Sequence, residues 1–147
     1  MFYGEFIHTI DGKGRLIIPA KFRETLRENT IDKLFVTRGL EHCLFVFTPH
    51  EWNIIVAKLK EQPFTKVKAR DFMRLFLAGA CEVECDRQGR IMLPQSLLRW
   101  AGIRKDVMVI GVLNRFEIWD EERWRKFALE KGNSYEEIAE DLLGMGL

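Results

Sequence analysis

No stretch of this chain approaches the roughly 18 consecutive apolar residues that a membrane-spanning helix needs. The opening MFYGEFIHTI has no basic flank and no long apolar run, so no signal peptide is expected either. Cysteine is scarce. Cys43, Cys81 and Cys85 are three, an odd number that does not suggest a disulfide framework and fits a reducing, cytoplasmic setting. No Cys-x-x-Cys pair occurs, so Cys81 and Cys85, four apart on a predicted strand, read as half-buried strand residues rather than zinc ligands. Neither serine nor cysteine lies in a nucleophile-elbow setting, and His8, Asp86 and Ser96 belong to no catalytic motif. No glycine-rich loop opens directly into a helix. An enzyme is therefore not expected, nor a cofactor, a metal or a small-molecule substrate. Net charge is only +1, so bulk charge says nothing about partners.

What is present is a repeat. The string DGKGRLIIPAKFR at 11–23 returns as DRQGRIMLPQSLLR at 86–99. At an offset of 75, Asp11, Gly14, Arg15 and Pro19 fall on Asp86, Gly89, Arg90 and Pro94. Further on, an offset of 72 places Gly39 on Gly111, Phe47 on Trp119 and Trp52 on Trp124, so one connection of the second copy is read as three residues shorter. The chain is a duplicated unit with a connector between.

Each copy reads alike. A strand (Glu5 to Ile10; Ala80 to Cys85) leads into an Asp-x-x-Gly turn, where Gly14 or Gly89 takes a positive φ without steric cost. Alternation then sets Leu16 and Ile18 against Arg15 and Ile17, and Ile91 and Leu93 against Arg90 and Met92. Pro19 and Pro94 cannot donate to a ladder and suit a helix start, so each ends its strand and opens a short helix. A second hairpin follows, then a helix carrying Trp52 or Trp124, both read as core. The expected fold is α+β and mainly β: two repeats forming one pseudo-twofold β-barrel flanked by short helices. Repeat one spans 5–52, a helical connector 60–79, repeat two 80–124 and a C-terminal helical tail 125–147. In that tail, Ser134 and Glu137 stand at capping-box spacing.

Neutrality overall hides an uneven distribution. Lys13, Arg15, Lys21, Arg23 and Arg27 crowd the first turn and its helix against Glu24 alone. Arg87, Arg90, Arg99, Arg104 and Lys105 follow the second turn with no acid among them, while acids dominate beyond Glu117. Patches of one sign create a local field that net charge does not report. Arginine's planar fork suits phosphate or a guanine edge. Two basic turns on one side of a pseudo-symmetric fold would make a strand-based surface for a duplex groove. Two alternatives stand beside this. Asp11 and Asp86 could pair with Arg15 and Arg90 simply to hold the hairpins, and the fold could serve as a protein-interaction module that docks an acidic partner without DNA.

The Asp-x-x-Gly-Arg-φ-x-φ-Pro pattern at 11–19 and 86–94 resembles the SpoVT-AbrB swapped-hairpin domain. Two copies in a chain of this length, with the MFYGEF opening and FEIWDEERW at 116–124, resemble the MraZ family of bacterial transcriptional regulators. The resemblance covers nearly the whole chain. It implies a swapped-hairpin barrel and a cytoplasmic, nucleoid-associated ring of several chains. The ring would bind short direct repeats of double-stranded DNA upstream of the division and cell-wall gene cluster that holds its own gene. It also implies DNA recognition by the turns: Lys13 and Arg15 in copy one, Arg90 in copy two. Copy two departs from the pattern, with Arg87 and Gln88 where copy one has Gly12 and Lys13. Lys21 and Arg23, with no basic counterparts at Ser96 and Leu98, are candidates for phosphate contact. Phe72 is a candidate for subunit contact.

Overall fold

A computed structural model describes residues 1–144; the last three residues of the expected tail lie outside it. The chain runs β1 (Glu5–Thr9), β2 (Arg15–Ile17), α1 (Ala20–Glu28), β3 (Lys33–Arg38), a single 3-10 turn, β4 (Leu44–Phe47) and α2 (Pro49–Lys60). It continues α3 (Val67–Ala78), β5 (Cys81–Glu84), β6 (Arg90–Met92), α4 (Gln95–Ala101), β7 (Asp106–Gly111), β8 (Phe116–Asp120), α5 (Glu121–Gly132) and α6 (Tyr135–Gly144).

The copies exchange strands. β1 pairs with β7 of the other copy, β5 pairs with β3, and β2 pairs with β6, all antiparallel. One sheet of six strands results, ordered β1-β7-β8-β4-β3-β5, beside a two-stranded ribbon of β2 and β6. Reversing that order while exchanging each strand for its repeat equivalent returns the same sheet. The pseudo-twofold axis passes through pairs of equivalent residues: Leu16 opposite Ile91 in the ribbon and Phe45 opposite Glu117 in the sheet.

The expected single barrel does not close. β1 and β5 are the two ends of the sheet, and β2 and β6 bond to each other instead of bridging those ends. Pro19 and Pro94 stop the ribbon strands after three residues, too short to complete a cylinder. The single shorter connection is also corrected, because the register divides it. Lys33 and Asp106 pair with Glu84 and Thr9, so β3 and β7 are related by 73 positions, and β4 and β8 by 72. Two residues are lost before β7 and one in the hairpin after it. Gly39 therefore lies just beyond β3, whereas Gly111 is the last residue of β7.

Alternation along the central strands gives the sheet two buried faces. Leu34, Val36, Leu44, Val46, Val107, Val109, Phe116 and Ile118 point to the ribbon side, where Leu16, Ile18, Ile91 and Leu93 meet them together with Phe22, Leu26, Leu97 and Ala101 of α1 and α4. This is one core built from both copies. On the opposite face α2 and α3 cover Phe47, where Trp52 stacks between Phe35 and Phe76 at 5.0 and 5.6 Å. α5 covers Met108, Ile110 and Trp119, and its Trp124 is only half-buried, donating from Nε1 to Glu5 Oε2 at 2.8 Å. Thr48 and Asp120, 72 apart, cap α2 and α5 by accepting from Glu51 N and Arg123 N. Ser134 contributes its carbonyl to Ile138 N at the start of α6, and the side-chain bonds of a capping box are not made.

Candidate nucleic-acid interface

The two Asp-x-x-Gly turns have the same internal bonding. Asp11 Oδ1 accepts from the backbone of Lys13 and of Arg15 at 2.9 Å, and Oδ2 accepts from Arg15 Nε at 2.6 Å. Asp86 Oδ1 accepts from the backbone of Gln88 and of Arg90 at 2.9 Å, and Oδ2 from Arg90 Nε at 2.9 Å. The turns close where Gly14 and Gly89 donate to Asp11 O and Asp86 O at 3.0 Å, with φ of +80° and +79°. A side chain there would be strained, and at Gly14 its Cβ would also lie 2.9 Å from the Leu93 carbonyl. The aspartates thus do hold the hairpins, and in doing so each grips its arginine by one edge. The outward Nη atoms of Arg15 and Arg90 have no hydrogen-bond partner among the described residues.

Those bonds set the acidity of the carboxyls. Bonds from the Arg15 amide and guanidinium hold Asp11 down to about 2, below its ordinary 3.8, and Asp86 is lowered for the same reason by Arg90. A depressed folded value means a contribution that is complete above pH 3.8 and lost as pH falls through about 2. The expected result is an Asp11 carboxyl NMR titration with its midpoint near 2, accompanied by faster amide exchange at Lys13 and Arg15 below that point.

The ribbon decides how the arginines are presented. Arg15 lies opposite Met92, and Ile17 opposite Arg90. Gly14 O accepts from Leu93 N and Gly89 O from Ile18 N, so each turn is tied to the other copy's strand. The turn tips themselves stand at opposite ends of the ribbon. Leu16 and Ile91 point into the core, so Arg15, Ile17, Arg90 and Met92 share the outer face. Arg15 and Arg90 are diagonal neighbours there, with Cα atoms about 7–8 Å apart. Their side chains are 30 % and 26 % exposed, reachable yet held. Ile17 and Met92 are 44 % and 56 % exposed between them.

Of the remaining candidates, Lys13, Arg87 and Gln88 are exposed on the turns. Lys21 sits with its ammonium 3.8 Å from the centre of the Tyr3 ring. Arg23 does not extend outward like Lys21. It folds against turn two, its Nε donating to Ile18 O at 2.9 Å. Ile17 and Met92 were not singled out by sequence reasoning, although the alternation that places Arg15 and Arg90 outside places them there too. Among the described residues no cluster of three or more His, Cys, Asp or Glu side chains could hold a metal ion. All three cysteines are free, and burial raises the pKa of each thiol.

Comparison with known proteins finds the repeat independently. A family model described as "MraZ protein, putative antitoxin-like" matches residues 1–75 and again 76–145. A protein of Acetivibrio thermocellus named Transcriptional regulator MraZ is 48% identical over 147 residues, covering 100% of both chains. One of the same name from Ligilactobacillus salivarius is 51% identical over 147 residues, again covering 100% of both.

Proposed function

This chain belongs to the MraZ family, and from that premise we propose that it is a transcriptional regulator that reads DNA with the outer face of the β2–β6 ribbon. The observation that carries the reading is the pairing of Arg15 with Arg90 on one exposed face, each guanidinium aimed by its own aspartate. A major groove about 12 Å wide admits a two-stranded ribbon. In it, an Arg fork with two free Nη atoms suits guanine O6 and N7, and Ile17 and Met92 suit thymine methyl groups. Lys13, Arg87 and Gln88 reach the groove edges from the two turns, and Lys21 and Arg23 meet phosphates.

One chain offers few such contacts. The fuller reading is a ring of chains on direct repeats in the promoter of the division and cell-wall cluster, where several weak contacts act together through effective concentration. Exposed apolar residues on α3 (Phe72, Leu75) and α6 (Ile138, Leu142) support subunit contact.

The test is fluorescence anisotropy with duplex DNA from upstream of the protein's own gene, alongside a mass measurement of the assembly. Binding is expected to fall linearly in log K against log salt, with a slope of about −0.9 for each phosphate neutralised. Binding unchanged by salt, or absent while an acidic protein partner is captured, would overturn the DNA reading.

A further inference from the structure

The two turns are alike inside but differ in what stands behind them. Behind turn one is Leu98, whose Cδ1 would lie 3.6 Å from a Cβ on Gly14. The repeat equivalent of Leu98 is Arg23. Its side chain crosses from α1 to turn two, where Nη1 would lie 2.9 Å from a Cβ on Gly89. One edge of that guanidinium is anchored on the Ile18 carbonyl, and its Nη atoms have no hydrogen-bond partner among the described residues.

Arg23 lines a cleft of about 230 Å³ with Arg27, Arg87, Asp32 and Asp86. Asp86 is already occupied by Arg90 and two backbone amides. Three guanidiniums therefore face one carboxylate free of such bonds. None of the three arginines has a charged equivalent in the other copy, where Leu98, Gly102 and Gly12 take their places. Lys105 stands where Asp32 would, and the cleft it lines with Gly102 sets Arg104, Lys105 and Arg125 against Asp106, Asp120, Glu121 and Glu122. The pseudo-twofold axis relates the backbones and the Asp–Arg pairs of the turns, but not the charges behind them. A duplex lying along the ribbon meets three arginines and one free carboxylate at one end, and at the other a cleft whose four acids outnumber its three bases.

We propose that the Arg23–Arg27–Arg87 cleft is a backbone-phosphate site specific to turn two, and that it makes this pseudo-symmetric ribbon lie on DNA in one orientation. The inference rests on the DNA reading above. A single orientation is what a non-palindromic site requires of a reader whose backbone is nearly twofold. It also lets many chains read many repeats in the same sense.

Ethylation interference on the bound upstream duplex tests it. With the parent protein, interfering phosphates fall on one flank of each bound site. Arg23→Leu installs the residue found at the equivalent position, and Arg87→Gly does the same at an exposed turn tip that makes no side-chain hydrogen bond. Each is expected to abolish interference on that flank and to reduce the salt slope by about one per chain. Thermal melts of both variants report whether folding is kept, and Arg87→Gly stands as the readout if Arg23→Leu fails to fold. Equal interference on both flanks, or a parental pattern in Arg87→Gly, overturns the proposal while the DNA reading survives. Failure of the parent to bind any duplex overturns both.

Discussion

Alanine at Arg15 or at Arg90 is expected to weaken binding to upstream DNA by about 5- to 150-fold per site, without changing the fold. The range follows from about 1–3 kcal/mol for a bidentate contact to a guanine edge, at 1.4 kcal/mol per tenfold. The two losses should be similar, because both guanidiniums are held the same way and share one face. In an assembly that engages several repeats at once the observed loss is larger, since each chain carries the same defect. Asp11→Ala separates aim from charge. It keeps the Arg15 cation but removes the acceptor for the Lys13 and Arg15 amides and for Nε. Affinity should fall while the salt slope stays close to parental, because no phosphate contact is lost. Anisotropy across a salt series checks all three variants. Full binding by both arginine variants would leave the turns as structural hairpins only.

Phe116→Ala is expected to destabilise the whole chain by about 3–5 kcal/mol. Phe116 belongs to copy two, yet its ring lies 5.2 Å from both Phe2 and Phe22 of copy one. It is 1% exposed, so truncation leaves a cavity rather than a solvated dent. Against a typical total of about 5–15 kcal/mol, that is a large share, and the melting temperature should drop by on the order of 10 °C. The transition should remain single. Strand exchange means that β1 and β2 of copy one have partners only in copy two, and β5 likewise in copy one, so neither half has a complete sheet without the other. Hydrogen exchange offers the check: the amides of Val36 and Val109 should lose protection together. Protection lost in copy two alone would mean two cores instead of one.

The shared core also explains why a site on three-residue strands can be firm. Each ribbon strand is too short to stand alone. It is braced by its partner through Gly14 and Gly89, by the helices that Pro19 and Pro94 open, and by Leu16 and Ile91 sunk in the core. The outer arginines inherit that rigidity, and the aspartate grip limits their remaining rotation.

What the sequence determined by itself was local or periodic. A glycine at the fourth place of each turn, a proline after each short strand and strict alternation between them act within a few residues, so the duplication, the hairpins, the helix starts and the buried faces could all be read. The arginines and aspartates were legible for the same reason, since their bonds span four positions. Only the tertiary structure decided which strands are neighbours. Side-chain period says which residues share a face, but carries no information on which strand lies alongside. The open sheet in place of a closed barrel, the division of the three missing residues between two connections, and the placing of Met92 opposite Arg15 and of Ile17 opposite Arg90 all follow from that choice. So does the place of Arg23, which is remote in sequence from the turn it backs and reaches it only because the copies exchange strands.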